Sequence, residues 1–108
     1  GVPDRHGELT QGGYSDHVVV RDQFVCRVPD GLDMAQAAPL MCAGITTYSP
    51  LKRWGVKPGD KVAVAGMGGL GHMAVKLAKA MGAEVTVLTT SPEKADAARA
   101  VGASDVLI

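Results

Sequence analysis

The chain has 108 residues, with eleven Lys and Arg set against eleven Asp and Glu, so its net charge is zero. That balance argues against a nucleic-acid partner and against an anionic membrane surface, both of which select basic faces. Hydrophobic residues make up 46% of the chain, enough for a packed core, yet no apolar run is long enough to span a bilayer and no secretory leader is visible.

Residues 1–12 are polar and glycine-rich and read as a loop. The start at GVPDRHGEL, without Met, and the strand-like ending SDVLI read as a segment of a longer protein. Residues 13–29, GYSDHVVVRDQFVCRVP, predict two short strands, with Arg21-Asp22 as the turn and Pro29 as the end. On the first strand Tyr14, Asp16, Val18 and Val20 share one face. Cys26 is expected as a buried strand residue and Asp16 as a solvated one. Asp33, with Gln36 three residues on, has the chemistry of a helix N-cap. The alanine-rich stretch 34–53 predicts helix, broken into short pieces by Pro39, Gly44 and Pro50. Tyr48 and Trp54 are expected to pack. Lys57-Pro58-Gly59-Asp60 is a turn cluster.

The pattern is sharper beyond residue 60. Lys61–Ala65, KVAVA, is a nearly continuous apolar run that suits a parallel strand covered on both faces. Leu70, Met73, Ala74, Leu77, Ala78 and Met81 follow helical spacing, and Gly82 ends that helix. Residues 84–89 predict a second strand. Ser91 is expected to cap a further helix, with Pro92 at its first position and Gly102 as its stop. Residues 105–108 begin a third strand. Strand–helix–strand–helix–strand is the half-unit of a doubly wound parallel sheet, so the fold class is α/β.

Gly66, Gly68 and Gly71 lie between the first strand and its helix, spaced as G-x-G-x-x-G. The first glycine permits the tight turn, the second lets a pyrophosphate approach the backbone, and the third lets helix and strand pack closely. The unpaired N–H groups of the helix start favour an anion. The motif therefore points to a dinucleotide. A site for NAD carries Asp or Glu at the tip of the second strand, where it binds the ribose hydroxyls. Here the tip is Thr89-Thr90-Ser91, with Lys94 one turn later, while Glu84 lies at the wrong end of the strand and Glu93 within the helix start. Three hydroxyls and an ammonium suit a 2′-phosphate, which a carboxylate would repel. The pattern favours NADP(H).

Cys42, in PLMCAGITTY, is taken alone a small buried hydrophobe, since no CxxC, His or acid stands near it. The two cysteines are too far apart to form a disulfide framework, which points to a reducing, cytoplasmic setting. His6 and His17 are scattered, and His72 has no visible partner.

The stretch from PLMCAGITTY through GMGGLGH to TTSPEK, together with TQGGYSDHVVVRDQFVCRVPDGL before it, resembles the zinc-dependent medium-chain alcohol dehydrogenases. Within them it is similar to the cinnamyl alcohol dehydrogenase group and its bacterial NADP-dependent aldehyde reductases. The resemblance implies that residues 1–40 end a GroES-like catalytic domain, that 41–58 form an interdomain helical segment, and that 59–108 form the first half of a Rossmann domain. It implies that Cys42 is a catalytic-zinc ligand and that Thr46 approaches the nicotinamide. Gly66, Met67, Gly68, Gly69, Leu70 and Gly71 would form the pyrophosphate loop. Thr89, Thr90, Ser91 and Lys94 would hold the 2′-phosphate, with Thr-Thr standing where serines are common. The other zinc ligands, and the four cysteines of a structural zinc, have no counterpart in this sequence.

The resulting expectation is a zinc- and NADP-dependent enzyme, a cytoplasmic homodimer that interconverts alcohols and aldehydes without nucleic-acid or membrane partners. The 108 residues alone are expected to be inactive. Two competing readings keep the glycine loop: a non-enzymatic dinucleotide-binding regulator, and a zinc-free quinone reductase of the same superfamily.

Overall fold

The computed structural model describes residues 3–9 and 12–108. The chain divides into two units, Gly1–Asp30 and Gly31–Ile108.

In the first unit, Pro3 and Leu9 form an antiparallel bridge. The Asp4 carboxylate tightens the turn between them by accepting the His6 N–H at 2.8 Å and the Glu8 N–H at 3.0 Å. The two strands expected over 13–29 do not form. The backbone runs extended at Arg21 and Val25, with a single 3₁₀ turn at Asp22–Phe24 between them. No ladder partner lies beside these residues among those described. Val19 is 90% exposed and Phe24 70%. Apolar alternation makes a strand only when a neighbour takes the backbone hydrogen bonds and one face is covered. Cys26 is accordingly exposed rather than buried. Asp16 is solvated as expected, and His17 beside it is exposed as well.

The second unit begins with helix α1, Met34–Ala37, which Asp33 caps by accepting the Gln36 N–H at 2.9 Å. Helix α2 spans Leu40–Arg53. The expected break falls at Pro39 alone; Gly44 and Pro50 lie inside α2. The helix packs against the helix that follows the glycine loop. Such packing outweighs a glycine's propensity cost of about 1 kcal/mol. Pro50 lies in the last turn, and its carbonyl still accepts the Trp54 N–H at 3.0 Å. The Thr47 hydroxyl donates to the Ala43 carbonyl at 2.6 Å and lies 3.1 Å from that of Gly44. Leu51 and Val56 pack on the core, whereas Tyr48 and Trp54 do not take the packing roles expected of them: Trp54 is 83% exposed.

Strand β1 is Lys61–Ala65, followed by α3 (Gly69–Ala80), β2 (Glu84–Leu88), α4 (Ala95–Ala100) and β3 (Asp105–Leu107). The strands form one parallel sheet in the order β1-β2-β3. The register sets Val62 opposite Val85, Val64 opposite Val87, and Val87 opposite Val106. These valines share one face, and α3 and α4 cover it with Val75, Ala78 and Ala98. Val75, Val85 and Val87 are fully buried. The opposite face, with Ala63, Ala65, Leu88 and Leu107, is exposed, so β1 is covered on one side rather than both.

The turn before β1 is fixed by Asp60. Its carboxylate accepts the Lys57 N–H at 3.0 Å and pairs with the Lys57 ammonium at 3.3 Å. The backbone hydrogen bond from Lys57 is the chief reason this carboxyl titrates below the usual carboxylate range. Among the described residues, no helix is long and apolar enough to cross a membrane.

Candidate functional site

The glycine loop joins β1 to α3. Gly66 has φ +89°, a conformation that disfavours any side chain. Its N–H donates to the Leu88 carbonyl at 2.9 Å, tying the loop to the end of β2. Met67 turns inward and is buried, which anchors the bend in the core. Gly71 sits where α3 crosses β1. A Cβ there would collide with the Gly66 carbonyl oxygen and lie 3.1 Å from its carbon. The third glycine is thus required by steric contact, as its place in the motif predicts. Gly68 is the N-cap of α3, with no side chain to cap it. The first N–H groups of the helix are left without intrahelical partners.

Two clefts meet at Ala65 and Gly66. The first, about 530 Å³, runs from Gly66 and Met67 across the strand ends to Thr89, Thr90, Ser91 and Lys94. No carboxylate lines it. The Thr89 N–H donates to the Leu107 carbonyl at 2.9 Å, which fixes the tip of β2 against β3. The Ser91 N–H donates to the Thr89 hydroxyl at 3.2 Å, leaving that hydroxyl its own hydrogen to give. Ser91 does not cap a helix with its side chain. A 3₁₀ turn at Pro92–Lys94 precedes α4, and Ser91 enters it through its carbonyl, which accepts the Lys94 N–H at 3.0 Å. The Ser91 hydroxyl therefore has no capping duty. Lys94 makes no ion pair among the described residues.

The second cleft, about 540 Å³, continues along Gly68, Gly69, Leu70 and Gly71 to Pro39, just before α2, and to Cys42 and Ala43 on α2. Cys42 is exposed rather than buried, and its sulfur lies 4.0 Å from the Thr46 hydroxyl one turn on. The loop, the hydroxyl cluster, Lys94 and Cys42 thus line one continuous pair of clefts, and Thr46 stands beside them on α2. Among the described residues, no three His, Cys, Asp or Glu side chains gather as a metal site. A catalytic zinc takes three protein ligands. Cys42 fits as one thiolate donor, and the described residues do not complete a set.

Sequence reasoning missed the partner of His72. The ring Nδ1 lies 2.8 Å from the Gly68 carbonyl oxygen. The only sequence signal was position: His72 stands four residues after Gly68, on the same side of the helix.

Residues 69–107 match the family of zinc-binding dehydrogenases. An NADP-dependent alcohol dehydrogenase of Mycolicibacterium smegmatis is 60% identical over 101 residues, which are 94% of this chain and 29% of that protein. Among solved structures, a cinnamyl alcohol dehydrogenase from Sorghum bicolor superposes with a TM-score of 0.88 at 51% identity, over 96% of this chain and 30% of that one. The cinnamyl alcohol dehydrogenase of Helicobacter pylori, complexed with NADP(H), gives 0.87 at 48% identity, over 94% of this chain and 29% of its own. The chain therefore spans under a third of the length of the relatives it matches. The α/β fold with its parallel Rossmann-type sheet agrees with them. By sequence and by structure, this chain belongs with the zinc-binding, medium-chain alcohol dehydrogenases, in the cinnamyl alcohol dehydrogenase group.

Proposed function

We propose that the chain carries the cofactor-binding core of an NADP(H)-dependent oxidoreductase that interconverts alcohols and aldehydes. One observation carries this reading. The cleft that runs from the glycine loop ends on Thr89, Thr90, Ser91 and Lys94 and holds no carboxylate. The loop N–H groups would bind the diphosphate, and the hydroxyls and ammonium would bind the 2′-phosphate. Charge-assisted hydrogen bonds of this kind are worth about 1.5–3 kcal/mol each, enough to set cofactor preference.

Cys42 and Thr46 would serve the reacting end. Thr46 would meet the nicotinamide side of the cofactor, and Cys42 would hold zinc as a thiolate with ligands supplied outside this segment. When bound, zinc supplies Lewis-acid polarisation of the substrate oxygen. What these residues themselves contribute is placement: α2 presents the sulfur beside the loop that fixes the diphosphate, and packing of α2 on α3 holds that relation. Residues 1–40 would end the catalytic domain, 41–58 would link the domains, and 59–108 would open the nucleotide domain. The whole protein would work as a cytoplasmic homodimer. The 108 residues alone would show no turnover, because one thiolate does not make a catalytic metal site.

Titration of the whole protein with NADPH and with NADH, followed by calorimetry, tests the reading. Tighter binding of NADPH is expected, by about tenfold or more. Equal or tighter binding of NADH would sink the assignment of Thr89, Thr90, Ser91 and Lys94.

A further inference from the structure

His72 is the fourth residue of α3 and is half-buried behind the glycine loop. The Gly68 carbonyl oxygen receives two contacts from it: the backbone N–H at 2.9 Å and the ring Nδ1 at 2.8 Å. A carbonyl oxygen only accepts, so the ring nitrogen facing it carries the hydrogen.

A helix start is ordinarily satisfied by a Ser, Thr, Asp or Asn at the N-cap, whose side-chain oxygen takes one of the unpaired N–H groups. A cap of that kind would here occupy a donor that an incoming diphosphate needs. Gly68 has no side chain, and α3 carries no side-chain cap. The loop is consequently rich in conformational freedom, with glycine at positions 66, 68 and 69. His72 holds it from the other side. It binds an acceptor of the loop and leaves the donors of Gly69, Leu70 and Gly71 for a ligand. The peptide group is planar, so the Gly68 carbonyl and the Gly69 N–H point in opposite directions. Fixing the first aims the second.

We propose that His72 is a positioning residue of the glycine loop: its Nδ1–H···O bond to Gly68 locks the Gly68–Gly69 peptide plane and aims the Gly69 N–H at the dinucleotide diphosphate. This inference rests on the cofactor reading above. The diphosphate is common to both coenzymes, so His72 acts on affinity and leaves the preference between them untouched. That separates it from Lys94, which acts on the preference.

The test uses the full-length protein with His72→Leu and His72→Asn, titrated with NADPH and with NADH. Asn places an amide N–H close to where Nδ1 stood. Loss of one hydrogen bond in His72→Leu is expected to weaken both coenzymes about fivefold, with their ratio unchanged. His72→Asn is expected to recover most of the loss. Wild-type affinity in His72→Leu, a loss confined to one coenzyme, or no recovery in His72→Asn overturns the proposal. A second arm needs no cofactor: ¹⁵N-histidine NMR of the wild type is expected to show the His72 proton on Nδ1. If the wild type binds neither dinucleotide, the cofactor reading itself falls. An Nε2-protonated ring in a protein that binds NADPH overturns the role of His72 alone.

Discussion

The two units of this chain carry similar apolar signals and use them differently. Residues 13–29 set the run Val18-Val19-Val20 between polar residues, yet all three valines are exposed. In the second unit, Val85 and Val87 alternate with Thr86 and Leu88 and are fully buried. The two stretches differ in what lies beside them. β2 has a parallel neighbour on each side and α3 across one face, whereas 13–29 has neither among the described residues. Apolar alternation states a preference, and burial against a neighbour turns it into structure.

The sharpest way to break the contrast lies at Gly71, where helix and loop touch. Gly71→Ala places a methyl group against the Gly66 carbonyl, so either α3 or the loop must shift. A cost of about 3 kcal/mol in stability is expected, with NADPH affinity falling about a hundredfold, read by thermal unfolding and by calorimetry. Wild-type binding in this variant would show that the loop tolerates the shift. Next comes the core itself. Val87→Ala should cost about 2 kcal/mol in denaturant unfolding, while Val19→Ala should stay within about 0.5 kcal/mol. Equal effects would mean that 13–29 is packed in the protein as studied, and the contrast between the units would disappear.

Within the second unit, Lys94→Ala should weaken NADPH about tenfold and leave NADH unchanged, because on the proposed reading only the extra phosphate would meet the ammonium. A parallel loss of both coenzymes would place Lys94 elsewhere in the site. Asp33→Ala removes the cap of α1 and should lower stability by about 1 kcal/mol in denaturant unfolding. The smallest effect is expected at Asp60. Its folded pKa is depressed, so its contribution is present above the ordinary carboxylate range and is lost as pH falls through the folded value. Asp60→Asn should therefore lower the melting temperature slightly at pH 7, with the difference from wild type vanishing in strong acid. A difference that grew on acidification would reverse the sign of this linkage.

The legibility of the sequence tracks how local each cause is. Gly66, Gly82 and Gly102 adopt positive φ at the turn and the helix ends predicted from their spacing. The Asp33 cap was readable because donor and acceptor lie three residues apart. Helix α2 was less so: Gly44 and Pro50 speak locally against it, and packing against α3 is invisible to local pattern. Ser91 holds the N-cap position read for it, with Pro92 next, but its side chain makes no capping bond. Its sequence context is that of an N-cap, but the intervening 3₁₀ turn takes its carbonyl and not its hydroxyl. In the candidate site, the residues along one strand tip or one loop were legible. The approach of Cys42 on α2 to the glycine loop, and the bond from His72 to Gly68, required the chain to be folded.

The order of strands and helices beyond residue 60, the glycine loop between them, and the hydroxyl-and-lysine cluster without a carboxylate were determined by the sequence alone. Each depends on periodicity, on backbone freedom or on charge carried by neighbouring residues. Tertiary structure decided which apolar runs became strands, that α2 stayed continuous, and that Cys42 opens onto a cleft instead of being buried. Those outcomes depend on burial and hydrogen bonding between segments distant in the chain, and a linear pattern holds no measure of either.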